Sequence, residues 1–175
     1  MYRIYYYIER YEKMKKKNSH KIAISGMIIA LYVAVMFFSQ SFSFGQFQIR
    51  IATSLYSIAA VYPFLIIPLG IANLLSNLLF GGLGLLDIFG GFFVGILTAY
   101  ACFKFRKLSI YLVAIPIVLI PSLLVSLWLN FILNVPYQVL LISIGIGQII
   151  PSIFGVFLVM FLEKIQLGKK SNINE

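Results

Sequence analysis

The chain has 175 residues, 61% of them hydrophobic and 11% charged, with a mean hydropathy of +0.98 and a formal net charge of +9. That balance excludes a soluble domain and indicates an all-α integral membrane protein, with room for about six spans of about 20 residues each. No length is left for a soluble catalytic or ATP-binding domain, and the single Cys102 excludes an intrachain disulfide.

Residues 1 to 21 form a basic leader, expected to be cytoplasmic. Within it, "MKKKNSHKIAIS" from Met14 reads as a bacterial start, so residues 1 to 13 are expected to be a mis-annotated leader. The alternative is an interfacial amphipathic helix with its tyrosines at the headgroups. His20 is expected to face water. Apolar runs follow at 22 to 38, 51 to 62, 63 to 80, 85 to 103, 109 to 133 and 137 to 162, all read as helices because lipid tolerates no unpaired backbone. The doubtful boundary lies inside 51 to 80. As one helix it would measure about 45 Å against a hydrocarbon core of about 30 Å. Pro63 and Pro68 lie near its middle, so two spans are expected, the first of them short.

Charge distribution supports six spans. Thirteen of the 14 Lys and Arg fall in three groups, the leader to Lys21, then Lys104, Arg106 and Lys107, then Lys164, Lys169 and Lys170. Such groups mark cytoplasmic loops more often than a nucleic-acid surface, and no nucleic-acid partner is expected. Six spans put all three groups and both termini on the cytoplasmic side, with residues 22 to 162 as the membrane domain and 163 to 175 as a basic tail. Arg50 is then the one base on the outer face.

Several polar or small residues interrupt the spans. Gly26, Ala30 and Ala34 recur every fourth residue on one face of the first, a ridge that either admits a partner helix or packs within the bundle. Asn73, Ser76 and Asn77 share a face of the third and precede a glycine-rich turn. Asp87, the only carboxylate between residues 22 and 162, either caps the fourth span or binds a ligand. Arg50 can snorkel to phosphates or line a pocket with Asp87 and the asparagines. Trp128 belongs either to an interfacial belt or to a ligand site at similar depth to Asn130, and Gln148 in the last span is helix glue or ligand contact. No phosphate loop, metal cluster, nucleophile elbow or carboxylate pair is present, so an enzyme lacks its usual residues and no cofactor is expected.

The order "ISGMIIALYVA", "FGQFQIRIATSL", "NLLFGGLGLLDIFGG" and "GIGQIIPSIFGVFLVMFLEK" resembles the QueT family over most of residues 20 to 165. These are substrate-binding S components of energy-coupling factor (ECF) transporters for queuosine precursors. The resemblance implies a six-helix bundle of the bacterial cell membrane without an ATPase of its own. It would dock through Gly26, Ala30 and Ala34 onto a coupling membrane protein driven by two ATPase subunits. Substrate-binding residues are then expected at Arg50, Thr53, Asn73, Asn77, Asp87, Trp128 and Gln148. The family's Arg is typically followed by Ser-Glu and its last span commonly carries Glu, whereas here Ile51, Ala52 and Thr53 follow Arg50, and Gln148 is an amide. With those two carboxylates missing, the expected ligand is neutral, such as preQ0 or another nucleobase-like solute, rather than cationic preQ1. The competing readings are an S component for another planar vitamin-like solute, a self-sufficient permease, and a membrane scaffold.

Overall fold

The structure is a computed structural model that describes residues 2–45, 47–81 and 83–171, with side chains between 18 and 166. The side chains before Asn18, Met14 among them, and those of the tail bases Lys169 and Lys170 are not among those described. Five α-helices follow in order: α1 (Tyr2–Ser43), α2 (Ile66–Ser76), α3 (Leu85–Arg106), α4 (Ala114–Leu133) and α5 (Tyr137–Ser171). Five segments are long and apolar enough to cross a membrane, Asn18–Ser43, Pro63–Gly81, Leu85–Arg106, Tyr111–Leu133 and Tyr137–Gln166. Their bounds match five of the six expected spans.

The remaining segment departs from expectation. Ile51–Ala60 is a 3₁₀ helix of 10 residues, a length at which that helix type is uncommon. At about 2.0 Å per residue it extends about 20 Å, short of the roughly 30 Å of a hydrocarbon core, so it is not the ordinary α-helical span expected. Burial explains how it persists. Ala52 through Ala59 are all buried, and the segment packs against each of the five α-helices, so the eight residues between its two ends are shielded from lipid. Hydroxyls add a second bond to its carbonyls three residues back: Thr53 Oγ1 donates to Arg50, Ser54 Oγ to Ile51 and Ser57 Oγ to Ser54, each at 2.7 Å. Small side chains also keep it slim. Gly155 of α5 faces it, and a Cβ there would lie 3.3 Å from that of Ser57.

The break before α2 falls where the prolines predict it, with Val61 and Tyr62 forming a turn and Pro63 opening the next helix. α2 and α3 run antiparallel. Asn77 Nδ2 bonds the Asp87 carbonyl, Asn73 Nδ2 bonds the Gly91 carbonyl, and a Cβ on Gly95 would come within 2.9 Å of the Gly70 Cα. The two glycines let these helices cross with backbones nearly touching. A second turn of chain, α4 to α5, closes on Asn134 in the left-handed conformation (φ 52°), which Asn tolerates, with Asn130 Nδ2 donating to the Val135 carbonyl at 2.7 Å.

The two ends of the bundle differ chemically. At one, Lys21 lies 5.6 Å from the centre of the Phe64 ring, and Arg106 pairs with Glu163, tying α1 to the start of α2 and α3 to α5. His20 is exposed nearby in sequence, as expected. Cys102 is a buried core thiol in the cluster that also holds Tyr32, Tyr56 and Ile117. At the other end, Arg50 follows the close of α1. The 3₁₀ helix therefore carries the chain back along α1 from the Arg50 end to the Lys21 end.

Candidate functional site

Arg50 is 5% exposed, which is costly for a cation in a membrane protein unless it is fully engaged. Its Nε donates to the Ser43 carbonyl at 3.3 Å, and its Nη1 to Asn77 Oδ1 at 3.1 Å and Asn73 Oδ1 at 3.4 Å. The guanidinium carbon lies 4.7 Å from the centre of the Phe44 ring. Both asparagine amides are thereby oriented, oxygen to Arg50 and nitrogen to a carbonyl of α3. A π-helical turn, Asn77–Gly81, ends this helix at the site, a geometry that recurs at functional sites.

Asp87 lies in the first turn of α3, where the helix dipole favours a negative charge. It does not cap the helix with its side chain. Gly84 holds the N-cap position at φ 92°, and the Asp87 carboxylate turns inward, 1% exposed, with Oδ1 accepting from Trp128 Nε1 at 3.1 Å. Trp128 is thus turned into the bundle rather than displayed in an interfacial belt. Its ring lies against Gly90, where a Cβ would come within 2.9 Å of it.

On the opposite side, Thr53 and Gln148 join the 3₁₀ helix to α5. Thr53 Oγ1 lies 2.7 Å from Gln148 Oε1 and Gln148 Nε2 donates to the Gln48 carbonyl at 3.1 Å. One hydroxyl proton serves both Gln148 Oε1 and the Arg50 carbonyl, so it satisfies them one at a time. Gly147 makes this contact possible, because any Cβ there would overlap the Phe47 carbonyl. Gln48 itself is in the left-handed region (φ 45°), rare outside glycine.

All seven residues expected to bind substrate, Arg50, Thr53, Asn73, Asn77, Asp87, Trp128 and Gln148, line one cavity. It encloses about 10 Å³ open to the centre of a water molecule, roughly one water's worth of room. Typical ligand pockets are about 300 to 1,000 Å³, so its walls must separate before an organic solute can enter. Two charged atoms in the wall are buried without a partner among the described residues, Arg50 Nη2 and Asp87 Oδ2. Each such orphan costs about 1 to 3 kcal/mol or more, since the group is charged. A third, Thr98 Oγ1, belongs to α3 outside the lining.

The sequence did not point to Gln48, Tyr56 or Gly91 in this lining. In a 3₁₀ helix residues three apart eclipse one another, so Arg50, Thr53 and Tyr56 fall in one row. Tyr56 joins the row only through the helix type, which the apolar run does not announce. Tyr56 also shares a 2.9 Å hydroxyl hydrogen bond with Tyr32 of α1. Gln48 contributes a backbone carbonyl, which no side-chain pattern announces.

Gly26, Ala30 and Ala34 are elsewhere. All three are exposed and line an apolar groove of about 580 Å³ between α1 and α2, with Leu75, Leu79 and Phe80 across from them. Packing within the bundle, the alternative read from the sequence, is not what this ridge does; nothing lies within 4 Å of a Cβ built on Gly26.

A family model for the QueT transporter matches residues 22–164, most of the chain and all of the elements that line the cavity. The chain belongs to the QueT transporter family. Membership makes it a membrane transport protein rather than an enzyme, in agreement with its apolar helices. No curated protein and no solved structure matches the chain.

Proposed function

We propose that this QueT family member is the substrate-binding subunit of an ECF importer, capturing a queuosine precursor or a similar 7-deazapurine from outside the bacterial cell. The observation that supports this reading is the convergence of nine residues with polar side-chain atoms, from residue 48 to residue 148, on one buried cavity. A bundle in lipid buries polar groups only where they pair or act, and these leave a donor and an acceptor unsatisfied. A flat heterocycle with donors and acceptors around its edge is the kind of solute that complements such a wall, between the Trp128 indole and the amides of Asn73, Asn77 and Gln148.

The cavity lies at the Arg50 end, away from Lys21, Lys104, Arg106, Lys107 and Lys164, so the positive-inside tendency favours an outward-facing site. The return of the chain along α1 through Ile51–Ala60 supports counting six passes, with both termini cytoplasmic. The α1 groove offers a coupling membrane protein a smooth apolar seat, and two ATPases bound to that protein would supply the energy.

Affinity purification under mild detergent tests the reading. Coupling protein and both ATPases should accompany the chain, uptake of a 7-deazapurine should stop when an ATPase is inactivated, and the ligand should raise the melting temperature. Transport by the chain alone in liposomes would make it a permease and overturn the proposal. The absence of any ligand-induced shift would point to a scaffold.

A further inference from the structure

Arg50 and Asp87 are the charged residues of the cavity wall, one of each sign, and the rest of the lining is neutral. They are not paired with each other. Among the described residues the ion pair is Arg106 with Glu163, while Arg50 is drawn back by Ser43, Asn73 and Asn77, and Asp87 by Trp128. Each is tethered through one part of its charged group and open at another. Arg50 Nη2 remains a buried donor without an acceptor, and Asp87 Oδ2 a buried acceptor without a donor.

We propose that these two atoms form a split reader for the amide edge of a neutral planar heterocycle. Arg50 Nη2 donates to a ring carbonyl oxygen, and Asp87 Oδ2 accepts from the neighbouring ring N–H. The inference rests on the 7-deazapurine reading and narrows it to neutral lactams. On a 7-deazaguanine the pair meets the 6-oxo oxygen and N1–H. On a 7-deazaadenine both partners are reversed, an amine facing the guanidinium and a bare ring nitrogen facing the carboxylate. A site built to hydrogen-bond one pattern rejects its inverse strongly, because its own buried groups are left unpaired.

Charge gives a second discrimination. A neutral ligand leaves the site, with one positive and one negative group, neutral overall. An aminomethyl cation adds a positive charge to a poorly hydrated cavity that already holds Arg50. The one carboxylate oxygen without a partner would have to leave the ring N–H to balance it. The reader therefore favours a 7-cyano substituent over a 7-aminomethyl one.

The protein carries its own probe, since Trp128 is its only tryptophan and its indole bonds Asp87. Trp128 fluorescence of the full chain in nanodiscs is titrated with 7-deazaguanine, 7-cyano-7-deazaguanine, 7-aminomethyl-7-deazaguanine and 7-deazaadenine. The two neutral lactams should bind, the aminomethyl compound about tenfold or more weaker and 7-deazaadenine about a hundredfold or more weaker. Asp87→Asn keeps an oxygen for Trp128 and turns an amine toward the ligand. It should lower the preference for 7-deazaguanine over 7-deazaadenine by about tenfold or more, a ratio that a merely structural role would leave unchanged. Equal or tighter binding of the aminomethyl compound or of 7-deazaadenine by the wild type overturns the reader and leaves 7-deazapurine uptake standing. Binding of none of the four overturns both. If Asp87→Asn does not fold, the wild-type panel decides by itself.

Discussion

The cavity beside Arg50 and the groove along α1 are opposites in size and chemistry. One encloses about 10 Å³ behind nine residues with polar side-chain atoms; the other opens over about 580 Å³ and is lined by Gly, Ala, Ile, Val, Leu and Phe alone. The difference follows from the solvent. In lipid a polar group must find its partner inside the protein, so the polar residues draw the helices together around their own hydrogen bonds. An apolar groove gains nothing by closing, because lipid tails are as apolar as its walls, and only a well-fitting helix improves on them. The first region is therefore closed by its own hydrogen bonds, and the second stays open; the proposed function gives the one to a small solute and the other to a protein partner.

Five substitutions separate the two. The largest effect is expected from Ala30→Trp, which fills the groove; radiolabelled uptake in cells should fall to background while calorimetric affinity of the purified protein is unchanged. A parallel loss of affinity would show that groove and cavity are one device. Arg50→Met is next. It strips the donor from the Ser43 carbonyl and from the Asn73 and Asn77 oxygens, and should destabilise the fold by about 3 to 5 kcal/mol in denaturant titrations as well as abolish ligand binding.

The same change made in each region gives the cleanest contrast. Gly147→Ala drives a methyl into the Phe47 carbonyl and should cost about 1 to 3 kcal/mol, whereas Gly26→Ala meets nothing and should leave the melting temperature where it was. Comparable losses in the two would contradict the assignment of one face to packing and the other to solvent or partner. Smallest among the changes that should cost stability is Tyr56→Phe, which removes the hydroxyl bond to Tyr32 and should cost about 1 kcal/mol; the double Phe variant should be no worse than the single. A much larger loss in uptake than in stability would tie this bond between cavity wall and α1 to transport itself.

Much of the site was legible because polar residues are rare in such a chain. Asn73 and Asn77, four apart, had to share a face, and with Arg50, Asp87 and Gln148 they had few places to be satisfied except beside one another. The choice between the two readings of Asp87 was not legible. A carboxylate after glycines fits a helix cap equally well, and it took Trp128, 41 residues on, to turn it inward. The helix type of the segment after Arg50 was not legible for a related reason. Its apolar run announces a helix but not which kind, since the 3₁₀ form depends on being walled in by five neighbours.

The sequence by itself determined where the apolar segments begin and end, which polar residues must be hidden from lipid, and the family to which the chain belongs. These depend on composition, periodicity and local breakers such as Pro63, which act over a few residues. Tertiary structure alone decided that Gly26, Ala30 and Ala34 face outward, that Ile51–Ala60 is a buried 3₁₀ helix, and that Arg50 and Asp87 meet a common cavity without pairing. In a membrane the outside of a helix is as apolar as the inside, so hydrophobicity cannot say which face is which; that choice belongs to the packing of one helix against another.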